Sequence, residues 1–522
     1  MNPIFATWLT RIPNQPSEQL QGLLLLLGIT YALLGLLLSV YGFYSTILTL
    51  LYWVGERRRR GAPEPATPAE WPVVTVQLPI FNEYDMLERL VAAVAAFDYP
   101  ADRLEVQVLD DSTDETVERA RQLVEHHRTH GLDIRHLHRA QRTGFKAGAL
   151  AAGLTQARGE FVAVFDADFI PAPDFLKRVL PHFTDAKIAC VQSRWTHLNA
   201  DYSLLTQAQA LIIDGHFMIE KCVSAAHGLF VIFNGSGGIW RRAAIDASGG
   251  WQSDTITEDM DLSYRAQLLG YRVVFLDDVT VPSELPAQLD AWKRQQFRWA
   301  KGTLQTTGKL AGPILRSRLG WPVKVAAMLN MGVYAMQPLS LLMMLLTPLV
   351  ALLQVPTSVL MSFGAIAALG AQTYFVTGQF VQPHRKMRRL WALPVVYLIG
   401  VGTALSNTFA VLEAIRGTPN VFERTPKFGI RSERDTWTKS RYALGRSKLA
   451  WAELAMFLYA LSTMVLTAVQ GLYQFVPWLI VPVLGFGMVA GLSFWQDWRR
   501  SRYERRDLSM VEDPAAKELL AP

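Results

Sequence analysis

The stretch Phe161-Val162-Ala163-Val164-Phe165-Asp166-Ala167-Asp168-Phe169 decides how the middle of the chain folds. Its first five residues are apolar, which is typical of a short strand buried on both faces. Two carboxylates, Asp166 and Asp168, follow where such a strand would end. Ligands of open α/β sheets bind beyond the carboxyl ends of the strands. The pair could therefore hold a hard divalent cation and the phosphates that the cation neutralises, or it could cap the next helix.

The apolar residues are unevenly distributed along the 522-residue chain, although they make up only 50% of it. Long apolar runs lie near the N-terminus and from Val323 onward, whereas the part from Trp71 to Trp299 has the composition of a globular domain. This distribution predicts a globular domain set into a membrane protein. The two cysteines, Cys190 and Cys222, have no zinc-like spacing and are expected to be buried free thiols.

The basic clusters indicate membrane topology and do not point to nucleic-acid binding, even though the net charge is +6. They lie beside the apolar runs, as Lys and Arg do on the cytoplasmic side of a bilayer. The first run is too long for the core of a signal peptide and should remain as an anchor. The clusters cover residues 57–60, 384–389 and 499–506, and the five predicted spans are 23–53, 323–353, 357–381, 449–472 and 477–498.

The apolar segment 390–415 is assigned to the membrane interface and not counted as a span. Crossing there would place the basic stretch 416–448 and the basic tail outside, against the charge rule. The N-terminus is therefore predicted outside, and the globular domain and the C-terminus in the cytoplasm, with a plasma or inner membrane as the location.

Strand and helix patterns alternate through the globular part, which favours a mostly parallel sheet with helices on both faces. This α/β domain is expected between transmembrane helices. The predicted strands are 73–78, 104–109, 134–137, 161–165 and 188–192, and the helices are 86–97, 115–127, 147–157, 204–224, one opening at 257–262, and 289–304. The predicted divisions of the chain are 1–61 with the first span, 62–304 for the domain, 305–381 with an interface helix and two spans, 382–448 with an interface helix and a loop, 449–498 with two spans, and the tail 499–522.

Four motifs follow one another through this domain: Asp110-Asp111, Asp166-x-Asp168, Thr257-Glu258-Asp259 and Gln295-x-x-Arg298-Trp299. In this order, flanked by spans, they resemble the D, DxD, TED, QxxRW signature of membrane-integrated family 2 glycosyltransferases. The likeness is strongest to cellulose synthase and to cellulose synthase-like mannan or glucomannan synthases, and it implies a GT-A-like domain. The segment Phe422-Glu423-Arg424-Thr425-Pro426-Lys427 resembles the gating-loop motif FxVTxK, with Arg424 where that family usually has Val.

The resemblance assigns roles to these residues. Asp166 and Asp168 would hold Mg²⁺ or Mn²⁺ at the diphosphate of a nucleotide sugar. Asp259 would be the general base, beside Glu258 of the same motif, with Asp261 as a lesser local competitor. Lys146 could contact phosphate or ribose, or be a solvated lysine. The remaining donor-binding candidates are Glu83, Asp110 or Asp111, Gln295, Arg298, Thr425 and Lys427, and the acceptor-side candidates are Trp299 and Asn234, with Trp195 a weaker one.

The function implied by the resemblance is that of a processive inverting synthase. It would elongate a β-linked, expected β-1,4, polysaccharide from UDP-glucose or GDP-mannose and pass it through its own spans. One alternative is transfer of a single sugar to a membrane lipid, as in ceramide glucosyltransferases. Another, from a different class, is a transporter or receptor whose cytoplasmic domain only binds nucleotide.

Overall fold

The computed structural model describes residues 18–59, 65–355, 358–382, 387–430 and 434–512. Several features of the sequence predictions lie outside these residues. They are the segment before the first helix, the basic residue Arg60 and the start of the linker, Pro356 of the predicted turn, the first part of the 384–389 cluster, and the end of the tail.

A seven-stranded sheet forms the centre of the globular domain, with the strand order β3-β2-β1-β4-β6-β5-β7. Strand β1 pairs in parallel with β2 and β4, and β2 pairs in parallel with β3. Strand β6 is antiparallel to both of its neighbours, β4 and β5, whereas β5 and β7 are parallel. The predicted mixed, mostly parallel sheet is therefore confirmed. The strands are β1 Val74–Ile80, β2 Leu104–Asp110, β3 Ile134–His138, β4 Phe161–Val164, β5 Ile188–His197, β6 Gly238–Arg241 and β7 Arg272–Ser283.

The α-helices lie on both faces of the sheet and continue into the apolar parts of the chain. In chain order they are α1 Glu18–Arg59, α2 Tyr84–Ala95, α3 Thr116–Thr129, α4 Phe145–Gln156, α5 Phe175–Val179, α6 Leu204–Gly215, α7 Cys222–Ala226, α8 Arg242–Ala247, α9 Glu258–Leu268, α10 Leu289–Arg316, α11 Trp321–Gly332, α12 Met336–Leu352, α13 Ser358–Phe380, α14 Leu393–Gly402, α15 Ala404–Arg416, α16 Leu449–Val469 and α17 Val476–Glu512.

The apolar run that precedes Asp166 is buried on both sides, as its composition predicts. Phe161, Ala163 and Phe165 pack into the core on one face of the sheet. Val162 and Val164 pack into the core on the other face. Helices cover both faces of a parallel sheet, so both sets of alternating side chains are apolar. This packing fixes the position at which the chain leaves the sheet and the two aspartates begin.

Two strands were not predicted from the sequence. Strand β6 has only four residues and follows a glycine-rich turn, so it carries no period-2 signal. Strand β7 contains the polar pair Asp277-Asp278, close to a shift in its register with β5. Both cysteines are buried and free, as expected.

Two predicted helices have other bounds in the structure. The helix expected over residues 204–224 is interrupted by a π-helical segment, His216–Lys221, between α6 and α7. The helix expected to end at residue 304 continues to Arg316, because Thr306, Leu310 and Ile314 extend its buried face at a spacing of four residues. The predicted domain boundary at 304 therefore falls inside α10.

Four helical segments of the described residues are long and apolar enough to cross a membrane: Gln21–Gly55, Trp321–Leu352, Leu449–Val469 and Tyr473–Glu504. Helix α13 corresponds to the predicted span 357–381 but is not among these four. It packs closely on α1, where a Cβ at Gly42 would come within 2.2 Å of the Ala367 carbonyl oxygen.

The segment predicted at the interface, 390–415, contains a bent helix pair. Met387–Gly402 and Ala404–Arg416 meet at an angle of 46° and together pass the same test of length and composition. A broken span and a re-entrant segment both fit this geometry, so the interfacial placement stays a prediction.

Candidate active site

The carboxyl ends of the central strands open into one cavity, and almost all of the predicted site residues line it. Most of these side chains follow a strand, begin a helix, or lie on α10 or on the loop after α15, and Asn234 lies in the turn before β6. The cavity is lined by the predicted residues Glu83, Asp111, Lys146, Asp166, Asp168, Asn234, Glu258, Asp259, Gln295, Arg298, Trp299, Thr425 and Lys427.

Both aspartates of the opening motif are paired with lysines. Asp166 Oδ1 lies 2.5 Å from Lys146 Nζ, and Asp168 Oδ2 lies 2.8 Å from Lys427 Nζ. Burial alone would lower the pKa of Lys146, but the adjacent carboxylates of Asp166 and Glu258 raise it above its ordinary value. The ion pair shows that Lys146 is not a solvated lysine, and the two ammonium groups mark a place that attracts cations.

The neighbouring aspartates at the end of β2 have different surroundings. Asp111 lines the cavity and binds the Arg139 guanidinium through both oxygens, at 2.7 and 2.6 Å. The Asp110 side chain is fully buried, accepts a hydrogen bond from the Ser112 backbone N–H and lies 2.8 Å from His136 Nε2. Of the two alternatives for donor binding, the geometry thus favours Asp111.

The carboxylates of the TED motif lie in the first turn of α9, where the helix dipole favours negative charge. Burial nevertheless raises the pKa of Glu258 to about 7, although Lys146 opposes the shift. Burial also raises the pKa of Asp259, and Lys146 again opposes it. The competitor Asp261 is paired with Arg265 and Lys309 and is absent from the cavity lining.

The glycine-rich turn 233–238 before β6 needs glycine for its backbone conformation and also approaches the site closely. Gly235 has a φ of +83°, so it needs a glycine conformation. It is also a point of close approach, because a Cβ there would lie 3.0 Å from Asp259 Oδ2 and 3.3 Å from Lys146 Nζ. Lys146 Nζ donates to the Gly235 carbonyl oxygen at 2.9 Å.

One face of α10 supplies three of the lining side chains. Gln295, Arg298 and Trp299 are spaced three and four residues apart, which puts them side by side on a helix. Arg298 Nη2 donates to Thr425 Oγ1 at 2.9 Å, and its guanidinium lies 4.4 Å from the centre of the Phe422 ring. The helix thereby holds the 422–427 loop over the cavity.

Sequence reasoning missed two residues that also hold this loop. Buried Glu284 accepts hydrogen bonds from the backbone N–H groups of Phe428 and Gly429, at 2.7 and 2.9 Å. Arg142 lies 3.5 Å from the centre of the Phe81 ring and donates to the Phe422 carbonyl oxygen. Neither residue belongs to a motif, and only the packing of distant segments brings them to the cavity.

Trp195, the weaker acceptor-side candidate, packs against the core and also reaches the cavity. Its ring packs against Phe169 at 5.0 Å between centres, and its indole N–H donates to the Ser236 carbonyl oxygen. It also lines the cavity.

The donor set at Asp166 and Asp168 fits Mg²⁺ or Mn²⁺. Both ions prefer oxygen ligands, and carboxylates that two lysines already neutralise can exchange one cation for another. A second group in the described chain has metal-compatible spacing: ligand atoms of Asp110, His136 and His138 lie within 4.8 Å of one another. In this second group, Asp110 Oδ2 and His136 Nε2 are 2.8 Å apart, which is the distance of an ordinary hydrogen bond.

Residues 72–302 match the family model described as "Glycosyltransferase like family 2". Residues 72–302 therefore form a family 2 glycosyltransferase domain. The match begins just before β1 and ends within α10, so it contains the three acidic motifs and the Arg-Trp pair. The family resemblance predicted from the four motifs is thus confirmed for the domain.

Two plant proteins share substantial identity with the chain. "Glucomannan 4-beta-mannosyltransferase 2" of Arabidopsis thaliana is 41% identical over 292 residues, which cover 53% of this chain and 54% of that protein. "Glucomannan 4-beta-mannosyltransferase 1" of Oryza sativa subsp. japonica is 43% identical over 261 residues, covering 49% and 50%. The chain thus spans about half the length of the curated relatives that it matches.

A solved structure shares the fold. It is the mannosyltransferase PcManGT from Pyrobaculum calidifontis, in complex with GDP-Man and Mn²⁺. The TM-score is 0.54 at 22% identity, over 74% of this chain and all of that one. The predicted GT-A-like architecture is confirmed by this likeness and by the sheet itself.

Proposed function

We propose that the protein is an inverting, processive glycosyltransferase that elongates a β-1,4-linked polysaccharide from a nucleotide sugar. The observation that carries this proposal is the single cavity in which Asp166, Asp168, Asp259 and Arg298 meet under the 422–427 loop. A cavity that only bound nucleotide would have no need of buried carboxylates with raised pKa values beside an aromatic acceptor platform such as Trp299.

The reaction that we propose is one displacement at the anomeric carbon of the donor sugar. An acceptor hydroxyl oxygen attacks this carbon and forms the new glycosidic bond, while the bond from the carbon to the diphosphate breaks. The hydroxyl proton passes to the Asp259 carboxylate, and the nucleoside diphosphate leaves with the bonding electrons.

Negative charge develops on the diphosphate as it leaves. Arg298, which donates to the Thr425 hydroxyl, can also donate to the phosphates, as can Lys146 and Lys427 once they release the aspartates. A divalent ion held by Asp166 and Asp168 would add electrostatic stabilisation of the same leaving group.

For the donor we favour GDP-mannose over UDP-glucose, since both plant relatives are named as mannosyltransferases. The product would be a mannan or glucomannan. We further propose that the catalytic domain is cytoplasmic and that the polymer leaves through the candidate spans, of which one precedes the domain and the next begins at Trp321, shortly after α10.

Purified full-length protein, incubated with radiolabelled GDP-mannose and in parallel with UDP-glucose, tests this function. With Mg²⁺ or Mn²⁺ we expect an ethanol-insoluble polymer that β-mannanase digests, and with EDTA we expect none. A product that carries one sugar and partitions into chloroform would overturn the polymer in favour of a lipid acceptor. Donor binding without transfer to any acceptor would contradict the proposed enzymatic activity.

Translocation is tested with protein reconstituted in vesicles. It requires that the product is protected from added β-mannanase.

A further inference from the structure

Arg424 stands where the gating-loop motif usually has Val, and its side chain makes contacts in the structure that Val could not make. The side chain lines the cavity from the 422–427 loop. Its Nη1 donates to the Asn82 carbonyl oxygen, and its guanidinium lies 4.3 Å from the centre of the Tyr442 ring. The loop residue is therefore held against the turn that follows β1, and a Val there would make neither contact.

Two of the guanidinium nitrogens remain without a hydrogen bond. Among the residues that the structure describes, Nε and Nη2 of Arg424 are buried and have no hydrogen-bond partner. Glu83 Oε1 lies 3.4 Å from Nε, which is an ionic contact only. Nε and Nη2 form one edge of the planar guanidinium and can donate side by side to two adjacent acceptors. Buried donors left unpaired are costly, so this edge is suited to a ligand.

The edge lies at the end of the cavity that a nucleoside would occupy. Strands β2 and β4 flank β1, so Asp111 and Asp166 follow strands that are about 10 Å apart at the usual strand spacing. Tyr442, on which Arg424 stacks, donates to Asp114 just beyond β2, whereas Lys427 of the same loop reaches Asp168 beyond β4. A diphosphate at Asp166 would leave the base on the side where Arg424 lies against Asn82 and Tyr442.

The bases differ in what they offer to such an edge. Guanine presents two neighbouring acceptors, O6 and N7, and an arginine can bind both at once. Uracil presents O4 next to a C–H group, and adenine presents N7 next to an amino donor. We propose that Arg424 binds the O6 and N7 atoms of guanine and thereby makes the donor site selective for GDP-sugars over UDP-sugars. This inference rests on the proposed function, because it assumes that the cavity binds a nucleoside-diphosphate sugar.

Equilibrium binding of nucleotides to the full-length protein in detergent tests the assignment without relying on transfer. Calorimetric titrations with GDP, UDP and 7-deaza-GDP, which replaces N7 by a C–H group, are compared for the wild type and for Arg424→Val. We expect the wild type to prefer GDP to both other nucleotides. In Arg424→Val the GDP affinity should fall about 5- to 150-fold, as for the loss of a bidentate base contact, while the UDP affinity changes little. That variant should bind GDP and 7-deaza-GDP alike.

Two further variants separate base recognition from charge and from loop anchoring. Arg424→Lys keeps the charge without the planar edge and should lose the preference for GDP over 7-deaza-GDP. Arg441→Ala removes an exposed arginine that pairs with Glu115 and should leave all three affinities unchanged. Equal weakening of GDP and UDP by Arg424→Val would make the residue a loop anchor only and overturn the proposal. Equal binding of GDP and 7-deaza-GDP by the wild type would also overturn it. Transfer from GDP-mannose is measured in a separate experiment. A failure of the guanine-binding proposal can therefore be distinguished from a failure of the proposed function.

Discussion

At the scale of single residues, the site depends on buried charges that lie close together. Asp166, Glu258 and Asp259 all face Lys146, whose ammonium group is fixed by Asp166 and by the Gly235 carbonyl oxygen. Burial disfavours the ionised carboxylates, and Lys146 offsets part of that cost. One lysine therefore tunes the group that we propose as the general base.

Replacing Asp259 by Asn should abolish transfer, because an amide cannot accept the proton of the attacking hydroxyl. We expect the rate to fall by about 10²- to 10⁴-fold while GDP affinity is retained, measured by product formation and by calorimetry. Asp254→Asn is the matched control, since Asp254 is exposed and contacts Lys309 away from the cavity. Full activity of Asp259→Asn would contradict the assignment of the base.

The pH dependence of transfer should show an acid limb far above the range of an ordinary aspartate. Glu258 and Asp259 titrate together, and burial raises the pKa of Glu258 to about 7, so activity should rise with pH through about that value. Lys146 lowers both carboxyl pKa values, and Lys146→Met should therefore move the limb to higher pH. Transfer rates measured from about pH 5 to about pH 9 give the midpoint of the acid limb for the wild type and for the variant. A limb that does not move, or that moves to lower pH, would show that Lys146 does not face the titrating group.

At the scale of elements, the 422–427 loop crosses the cavity and is fixed at both ends. Arg142 donates to the Phe422 carbonyl oxygen, Arg298 donates to the Thr425 hydroxyl, and Glu284 holds the backbone just after the loop, at Phe428. Lys427 reaches Asp168 with its ammonium group, where a divalent ion would otherwise bind. The loop and the metal thus compete for one carboxylate.

Lys427→Met should strengthen Mn²⁺ binding in the absence of nucleotide, because the variant frees the Asp168 carboxylate from its ion pair. Titration followed by electron paramagnetic resonance should give a several-fold lower Kd for Mn²⁺, corresponding to about 1 kcal/mol. With GDP present, affinity for the nucleotide should fall, since a phosphate contact is lost. Lys439→Met, on an exposed residue beyond the loop, is the control and should alter neither affinity. Unchanged or weaker Mn²⁺ binding in Lys427→Met would exclude the competition.

At the scale of the whole molecule, α10 connects the catalytic domain with the candidate spans. Its Lys293 is buried between Asp290 of the same helix and Glu453 of α16, and it also donates to Ser493 of α17. Its Gln296 accepts a hydrogen bond from Tyr334 in the turn between α11 and α12. The helix that carries Arg298 and Trp299 is therefore tied to several apolar helices at once.

Lys293→Met should destabilise the whole protein, because it leaves the carboxylates of Asp290 and Glu453 buried without a cation. Breaking a buried ion pair from one side costs about 3–5 kcal/mol, so thermal unfolding in detergent should shift clearly to lower temperature. Lys324→Met is the control, since Lys324 contacts no carboxylate among the described residues and only donates to the Leu315 carbonyl oxygen and lies over the Trp321 ring. Its Tm should stay close to that of the wild type. An unchanged Tm for Lys293→Met would show that the ion pair does not join the domain to the spans.

The sequence by itself determined which residues we propose to carry the chemistry and where along the chain they stand. The apolar strand patterns predicted a mostly parallel sheet, although not β6 and β7, and the motifs predicted the family and most of the charged side chains of the cavity. Strand burial and catalytic chemistry both constrain the residue type locally. Only the tertiary structure favours Asp111 over Asp110, because Asp111 lines the cavity whereas the Asp110 side chain is buried. It also placed Glu284, Arg142 and Arg424 at the cavity and joined α10 to the apolar helices. Those outcomes depend on contacts between residues that are distant along the chain, such as the 28 positions between Asp111 and Arg139 and the 280 between Arg142 and Phe422, and no local pattern records them.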